Sequence, residues 1–343
     1  MNLATTVFTT GLVAALVATP ILAQRAGDRP SRECRQEVVK LCGTDRSTIR
    51  ACLQQKADQL SEACSGELRQ RMQARQAQGL TGAQTSGPAV KVDTTVFYGS
   101  HQRQQIDIYK PADAVDDLPL VLFIHGGGWS FGSHKAVQAK PAHFTKADFI
   151  FGSAGYRVLP DAPVEEQAGD IGDAIQSLRA QANAQGFDPD SIILMGHSAG
   201  AHLAALVATD PQYAGDAFGA IKGVVLLDGA GYDITTSMMT ARPQAQQLYS
   251  RVFGSDVARH ERLSPITHVS AGDAPHWLAL YVDTRERAKG QAETLVEALR
   301  SSGANALDLP IANTDHGRLN REIGTPAGAQ QTEAIDAFLK QIR

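Results

Sequence analysis

Ile192-Ile193-Leu194-Met195-Gly196-His197-Ser198-Ala199-Gly200-Ala201-His202-Leu203 is the stretch whose reading decides the fold. The apolar run Ile192–Met195 reads as a strand, and the alanine-rich stretch after Gly200 reads as a helix. Between them, Gly196-His197-Ser198-Ala199-Gly200 is a G-x-S-x-G turn. Glycines on both sides let the chain turn sharply and leave space beside the serine, so Ser198 Oγ projects from the top of a sheet. Upstream, a second apolar run, Leu118–Ile124, leads directly into His125-Gly126-Gly127-Gly128-Trp129. Residues without Cβ let backbone N–H groups approach a substrate closely, which is the requirement for binding an oxyanion. Gly126, Gly127 and Ala199 are the expected donors. The two motifs in this order predict acyl-transfer chemistry with Ser198 as nucleophile, and His125 as an anchor of the glycine loop.

From Lys91 onward, strands and helices alternate. Expected strands are Val92–Tyr98, Gln105–Tyr109, Leu118–Ile124, Phe149–Ser153, Ile192–Met195, Ile221–Leu227, Trp277–Val282 and Ala306–Pro310. Expected helices include Glu165–Gln185, Ser198–Thr209, Ala288–Ser301 and Gln330–Ile342. This alternation predicts an α/β fold with a mostly parallel sheet covered by helices on both faces, opened by an antiparallel hairpin at one edge. Ligands on such sheets bind beyond the carboxyl ends of the strands, where both motifs fall. Ala230 to Val269 is too long for a simple connection. It reads either as a helical excursion over the site or as a core-packing helix pair.

His-Gly-Gly-Gly-Trp, then Tyr156-Arg157-Val158-Leu159-Pro160, then Gly-His-Ser-Ala-Gly, then a late Asp and a late His resembles the α/β-hydrolase family. More narrowly, residues 91–343 resemble its hormone-sensitive-lipase-like and bacterial esterase/kynurenine-formamidase branch. In that family the order is nucleophile, acid, histidine. His316 follows the last expected strand, in Asn313-Thr314-Asp315-His316-Gly317, where a loop can lower the imidazole onto Ser198. His202, His260, His268 and His276 are placed less well for this. The resemblance implies an acid after Trp277–Val282, hence Asp283, although this chain reads Asp283-Thr284-Arg285 where such relatives tend to carry Ala-Asp-Arg. Glu286 and, after the strand Ile221–Leu227, Asp228 are the other candidates; Asp315 is too close to His316 to reach its ring. Arg157 with Asp170 or Asp173 reads as a structural ion pair. The resemblance implies hydrolysis of carboxylic esters of small molecules through an acyl-enzyme. An arylformamidase-type amidase with the same triad, or a catalytically silent binding protein on the same fold, are the alternatives.

The 343 residues carry a formal net charge of −4, which argues against nucleic acid as the main partner. No metal-ligand spacing and no G-x-x-x-x-G-K phosphate loop is present in the sequence, so no metal or other cofactor is expected. Leu12–Leu22 is mostly apolar and is followed by a small residue at Ala23, which predicts an export signal over residues 1–23 and a periplasmic or secreted protein. That run is short for a membrane span, and no span is expected in the mature chain. All four cysteines, Cys34, Cys42, Cys52 and Cys64, lie soon after this segment, and an even number in an exported region predicts two disulfides. The run Cys34…Cys42…Ile49…Cys52-Leu53…Leu60-Ser61…Cys64 resembles one cysteine-rich repeat of a Golgi membrane glycoprotein. That resemblance, over about 35 residues, implies a disulfide-clamped helical hairpin, and residues 24–76 are expected to form this cysteine-rich helical module. In an antiparallel hairpin turning at Gly43–Asp45, the cysteines nearest the turn meet, as do those farthest from it. This favours Cys42–Cys52 with Cys34–Cys64. Residues 77–90, rich in small residues, read as a linker to a catalytic domain over residues 91–343.

Overall fold

The structure, a computed structural model, describes residues 31–42, 52–53, 59–68, 90–113, 117–241 and 243–342. The chain divides into two compact units, Met1–Gln84 and Thr85–Arg343. The expected export signal, the turn at Gly43–Asp45 and nearly all of the expected linker lie outside the described residues.

In the first unit, helix α1 (Arg32–Cys42) and helical residues 62–68 are joined by a disulfide from Cys34 to Cys64, and α1 is tied to Cys52 by a second from Cys42. The Cα separations are 4.9 and 5.7 Å, and the pairing is the nested one. The two helices begin alike, as Ser31-x-x-Cys34-x-x-Glu37 and Ser61-x-x-Cys64-x-x-Glu67. Each serine Oγ accepts the N–H of its own cysteine at 3.2 Å, a helix cap. Each glutamate then reaches the other helix's serine, Glu67 accepting from Ser31 Oγ at 2.8 Å and Glu37 from Ser61 Oγ at 2.7 Å. This short internal duplication spans only seven residues in each copy and lies within the single cysteine-rich repeat that the chain resembles. The described core of this unit is small, centred on Cys34, Leu60 and Cys64 with Val38, Leu41, Leu53 and Leu68 against it, so cross-links must supply what burial cannot. Structural disulfides mark a protein of a non-cytosolic compartment. Among the described residues no helix is long and apolar enough to cross a membrane. Each bridge is expected to stabilise the unit by about 2–4 kcal/mol. Reduction should therefore melt its helices while leaving the activity of the second unit intact, since all four cysteines precede residue 65. Circular dichroism and an ester assay with and without reductant test this together.

The second unit is built on an eight-stranded sheet of order β1-β2-β4-β3-β5-β6-β7-β8. Its strands are β1 (Thr94–Phe97), β2 (Gln105–Tyr109), β3 (Leu118–Ile124), β4 (Ile150–Ala154), β5 (Phe187–His197), β6 (Ile221–Leu227), β7 (His276–Val282) and β8 (Asn305–Ile311). β1–β2 and β2–β4 pair antiparallel, and every other pair is parallel. The central strands read as unbroken apolar runs because both of their faces are covered. Leu120, Leu122 and Ile124 of β3 point into one core, with Ile171 and Ile175 of α2 (Val164–Ala180) and Leu203 and Val207 of α3 (Ala199–Thr209). Val121 and Phe123 point into the other, with Ile335 and Phe338 of the C-terminal helix, Ala329–Leu339. Between β6 and β7 the chain makes the helices Ile234–Thr240, Pro243–Phe253 and Val257–Arg262, so the long connection is helical.

Two local expectations differ from the structure. β5 starts at Phe187 rather than Ile192. The polar Asp188-Pro189-Asp190-Ser191 stretch carries no apolar run, yet Phe187 ahead of it is buried and pairs with Leu118 across an irregularity in the register. His316, expected in a loop, is the first residue of a short helix, His316–Arg321. Asp315 caps it, accepting from the N–H groups of Gly317 at 2.9 Å and Arg318 at 2.8 Å. This turns the Asp315 carboxylate away from the neighbouring ring.

Candidate active site

Ser198 joins the end of β5 to the start of α3 with φ 55° and ψ −117°, a left-handed conformation forced on a side chain by the tight turn. The close packing around it explains the flanking glycines. A Cβ on Gly200 would stand 2.2 Å from the Ile124 carbonyl oxygen, because the start of α3 passes directly over the end of β3. Gly200→Ala is expected to lower stability by roughly 1–3 kcal/mol and to reduce kcat by shifting the turn; urea unfolding and kinetics on the same sample check both.

His316 comes from beyond β8, and its Nε2 lies 3.0 Å from Ser198 Oγ. Its Nδ1 lies 2.6 Å from Oδ2 of Asp228, which follows β6. The chain thus presents serine, imidazole and carboxylate in line. Asp283, the expected acid, is exposed in the turn after β7, where its backbone N–H donates to the Ile311 carbonyl at 3.1 Å. Glu286 is exposed in the first turn of the helix Glu286–Ser301. The carboxylate on His316 therefore comes from Asp228, and the expectation of Asp283 is corrected. The turn after β7 directs Arg285, not a carboxylate, toward the imidazole: its Nη1 donates to Asp228 Oδ2 and stands 2.6 Å from His316 Nδ1. The departure at Asp283-Thr284-Arg285 reads in the sequence as an acid displaced by one position, whereas in the structure Arg285 of this turn lies against His316. Arg285 itself carried no separate signal.

Asp228 is almost wholly buried, with its backbone in the left-handed region at φ 47°. Aspartate tolerates that region better than most residues. Its N–H donates to the Leu280 carbonyl at 2.7 Å, and its Oδ1 accepts from the Val282 N–H at 3.2 Å, so both backbone and side chain are tied to β7. Burial alone would raise its carboxyl. The hydrogen bond from His316, the Arg285 guanidinium and the Val282 N–H outweigh burial and hold it below the ordinary carboxylate range. A depressed folded value means that the stabilisation from Asp228 is present above the unfolded carboxylate value of about 4 and is lost as pH falls through the folded one.

The glycine loop lies against the serine. A Cβ on Gly126 would come within 3.0 Å of Ser198 Cβ and 2.7 Å of the His197 carbonyl oxygen. Gly127 has φ +133°, which a side chain would strain, and its carbonyl accepts from the N–H groups of Ser130 and Phe131 at 3.1 Å each. Ala199 opens α3, so its N–H is among the first four of a helix, which have no acceptor within it. The loop is anchored from behind. His125 Nδ1 donates to the Gly126 carbonyl at 2.8 Å, its own carbonyl accepts from Tyr156 Oη at 2.7 Å, and its ring stacks on Tyr156. Burial pushes the His125 imidazole down to about 4, so it is neutral at working pH. Trp129 is buried against Tyr249 and Phe253, and its Nε1 donates to His202 Nδ1 at 3.2 Å. His202 Nε2 donates in turn to the Leu263 carbonyl at 2.8 Å. His202 is therefore a strut between the glycine loop and the helical excursion. Leu248 of that excursion comes up to Gly128, with Cδ1 3.8 Å from where a Cβ would stand. Arg157 pairs with buried Asp170 through Nε at 3.0 Å and Nη2 at 2.7 Å, as expected of a scaffold ion pair. Among the described residues no cluster of metal-ligating side chains occurs.

The chain is similar to known proteins. The kynurenine formamidase of Danio rerio is 25% identical over 221 residues, covering 64% of this chain and 73% of that protein. Carboxylesterase NlhH of Mycobacterium tuberculosis is 27% identical over 271 residues, covering 74% of this chain and 83% of that one. The solved structure of the thermophilic esterase Est2 from Thermogutta terrifontis superposes with a TM-score of 0.62 at 24% identity, over 74% of this chain and 94% of that one. The BD-FAE family matches residues 106–281, just over half of the sequence, and with that match on this fold the chain belongs to the BD-FAE family of α/β-hydrolases.

Proposed function

We propose that this protein cleaves carboxylic esters of small molecules through an acyl-enzyme on Ser198, with His316 as base and Asp228 as the orienting acid. The chain is a carboxylic ester hydrolase. The observation that carries the mechanism is the line of contacts Asp228–His316–Ser198 at 2.6 and 3.0 Å beside a glycine loop. A serine hydroxyl is a weak nucleophile until a base takes its proton in the transition state. Ser198 Oγ attacks the ester carbonyl carbon while its proton passes to His316 Nε2. Asp228 keeps the other proton on Nδ1 and stabilises the imidazolium that forms. The oxyanion is held by the N–H groups of Ala199, Gly126 and Gly127. On collapse, His316 returns the proton to the leaving alcohol. Water, giving a proton to the same imidazole, then attacks the acyl carbonyl, and on collapse His316 returns that proton to Ser198 Oγ as the acid leaves.

The kinship with carboxylesterase NlhH supports the ester reading, and the kynurenine formamidase similarity keeps an aryl formamide in the test. The apolar run Leu12–Leu22 and the two disulfides support an exported protein: a signal over residues 1–23, a cysteine module over 24–76, a linker over 77–90 and a catalytic domain over 91–343. A panel of p-nitrophenyl esters of increasing acyl length beside an aryl formamide tests the function. Faster turnover of esters is expected. Preference for the formamide would move the reading to the amidase, and no turnover together with no labelling by a fluorophosphonate would make the protein a silent binder.

A further inference from the structure

The helix that carries His316 has six residues, His316–Arg321. So short a helix cannot stabilise itself, so the position of the imidazole depends on what grips that segment from outside. Asp315 caps one end. At the other end the Nζ of Lys140, a fully buried lysine, donates to the Asn320 carbonyl at 2.8 Å and lies 4.7 Å from the Phe123 ring centroid. The third grip comes from the elbow itself. His197, the variable residue of the G-x-S-x-G motif, directs Nε2 to the carbonyl oxygen of His316 at 2.9 Å. Its ring lies against the His316 imidazole with centroids 4.6 Å apart. A carbonyl can only accept, so Nε2 carries the proton. Burial, with His316 beside it, pushes the His197 imidazole down to about 3, which leaves it neutral at working pH. The ring is part-buried between these groups, and a polar atom withdrawn from water in this way is disfavoured unless its hydrogen bond is made.

We propose that His197 is a positioning residue: through one N–H it ties the nucleophile's own neighbour to the backbone of the base, and so holds the His316 imidazole over Ser198. Ser198 and His316 are 118 residues apart in sequence. The tie couples them more directly than the sheet does, because both ends of the link are within one residue of a reacting group. This rests on the reading of Ser198 and His316 as nucleophile and base, and it goes beyond that reading because it gives a role to a residue whose contacts are with the base's backbone and ring. Errors of about 1 Å in the placement of a reacting group lower rates by up to about 100-fold.

The test uses the full chain with His197→Gln, His197→Leu and His197→Asn. The glutamine amide nitrogen reaches about as far as Nε2, the asparagine amide stops short, and leucine has no donor. The readouts are kcat, KM, the rate of fluorophosphonate labelling and the thermal midpoint. Leucine and asparagine are expected to lower kcat and the labelling rate about 10–100-fold with KM within about twofold, and glutamine to restore most of both. A merely structural role would move the thermal midpoint and kcat together, without the difference between glutamine and asparagine. Equal rates for glutamine and asparagine, or a normal rate for either leucine or asparagine, would overturn the proposal. Glutamine and asparagine both retain a polar amide, so their comparison decides the matter even if the leucine protein does not fold. A parent enzyme left unlabelled at Ser198 would overturn the underlying reading as well, whereas a labelled parent with indifferent variants overturns only the role of His197.

Discussion

Replacing Ser198 with alanine is expected to lower kcat for ester hydrolysis by at least ~10³, with the thermal midpoint unchanged or raised. The loss is large because the serine and its base act as a unit: without Oγ no acyl-enzyme forms, and only binding and the oxyanion donors remain to accelerate attack by water. The fold should tolerate the change, since the turn is set by the glycines around position 198 rather than by the hydroxyl. Removing a side chain held at φ 55° also leaves no cavity in either core. Steady-state kinetics and a melting curve on one preparation test this. Near-normal hydrolysis by a folded Ser198→Ala protein would contradict it.

Asp228→Asn is expected to be almost as damaging, with kcat reduced by roughly 10³–10⁴, the effect seen when the orienting carboxylate of a serine triad is made neutral. An amide can present its NH₂ to His316 Nδ1. That places the ring proton on Nε2, where it faces Ser198 Oγ and can no longer accept the serine's proton. Arg285 would also lose the charge that its guanidinium neutralises, beside an imidazole that must itself become positive. Asp283→Asn should change kcat by less than about threefold, because its carboxylate is exposed and the contact it lacks is the one Asp228 makes. A strong effect at Asp283 with none at Asp228 would reverse the assignment.

Much of this arrangement is legible in the sequence alone. The glycines of both motifs, the apolar strands feeding them and the late histidine are local signals, each determined by residues within a few positions of itself. The strands themselves followed from their apolar runs, though their ends did not, and the helical nature of the long connection followed from its length. The choice between Asp228 and Asp283 as the partner of His316 was not legible, for a physical reason. Which strand end delivers a carboxylate to an imidazole depends on how β6, β7 and the turn after β7 lie side by side, and Asp228 and Asp283 both follow apolar strands in the same manner. What separates them is the backbone at Asp228, tied across to Leu280 and Val282, and Arg285 filling the space next to it. Neither is a property of a single segment. The short helix beginning at His316 escaped notice because six residues carry too little periodicity, although Asp315 ahead of it is a recognisable cap. The crossed serine–glutamate contacts of the cysteine module were hidden because each glutamate serves the helix it does not belong to.

The central claim is that Ser198 is a nucleophile activated by His316. The most direct measurement is to treat the full chain with a fluorophosphonate and map the adduct by peptide mass spectrometry, alongside His316→Ala and Asp228→Asn. A single adduct on the peptide bearing Ser198 is expected, formed at least ~10²-fold more slowly in either variant because the hydroxyl loses its base or the base its orientation. Absence of an adduct, an adduct on another serine, or labelling of Ser198 at the parent rate in His316→Ala would contradict the account.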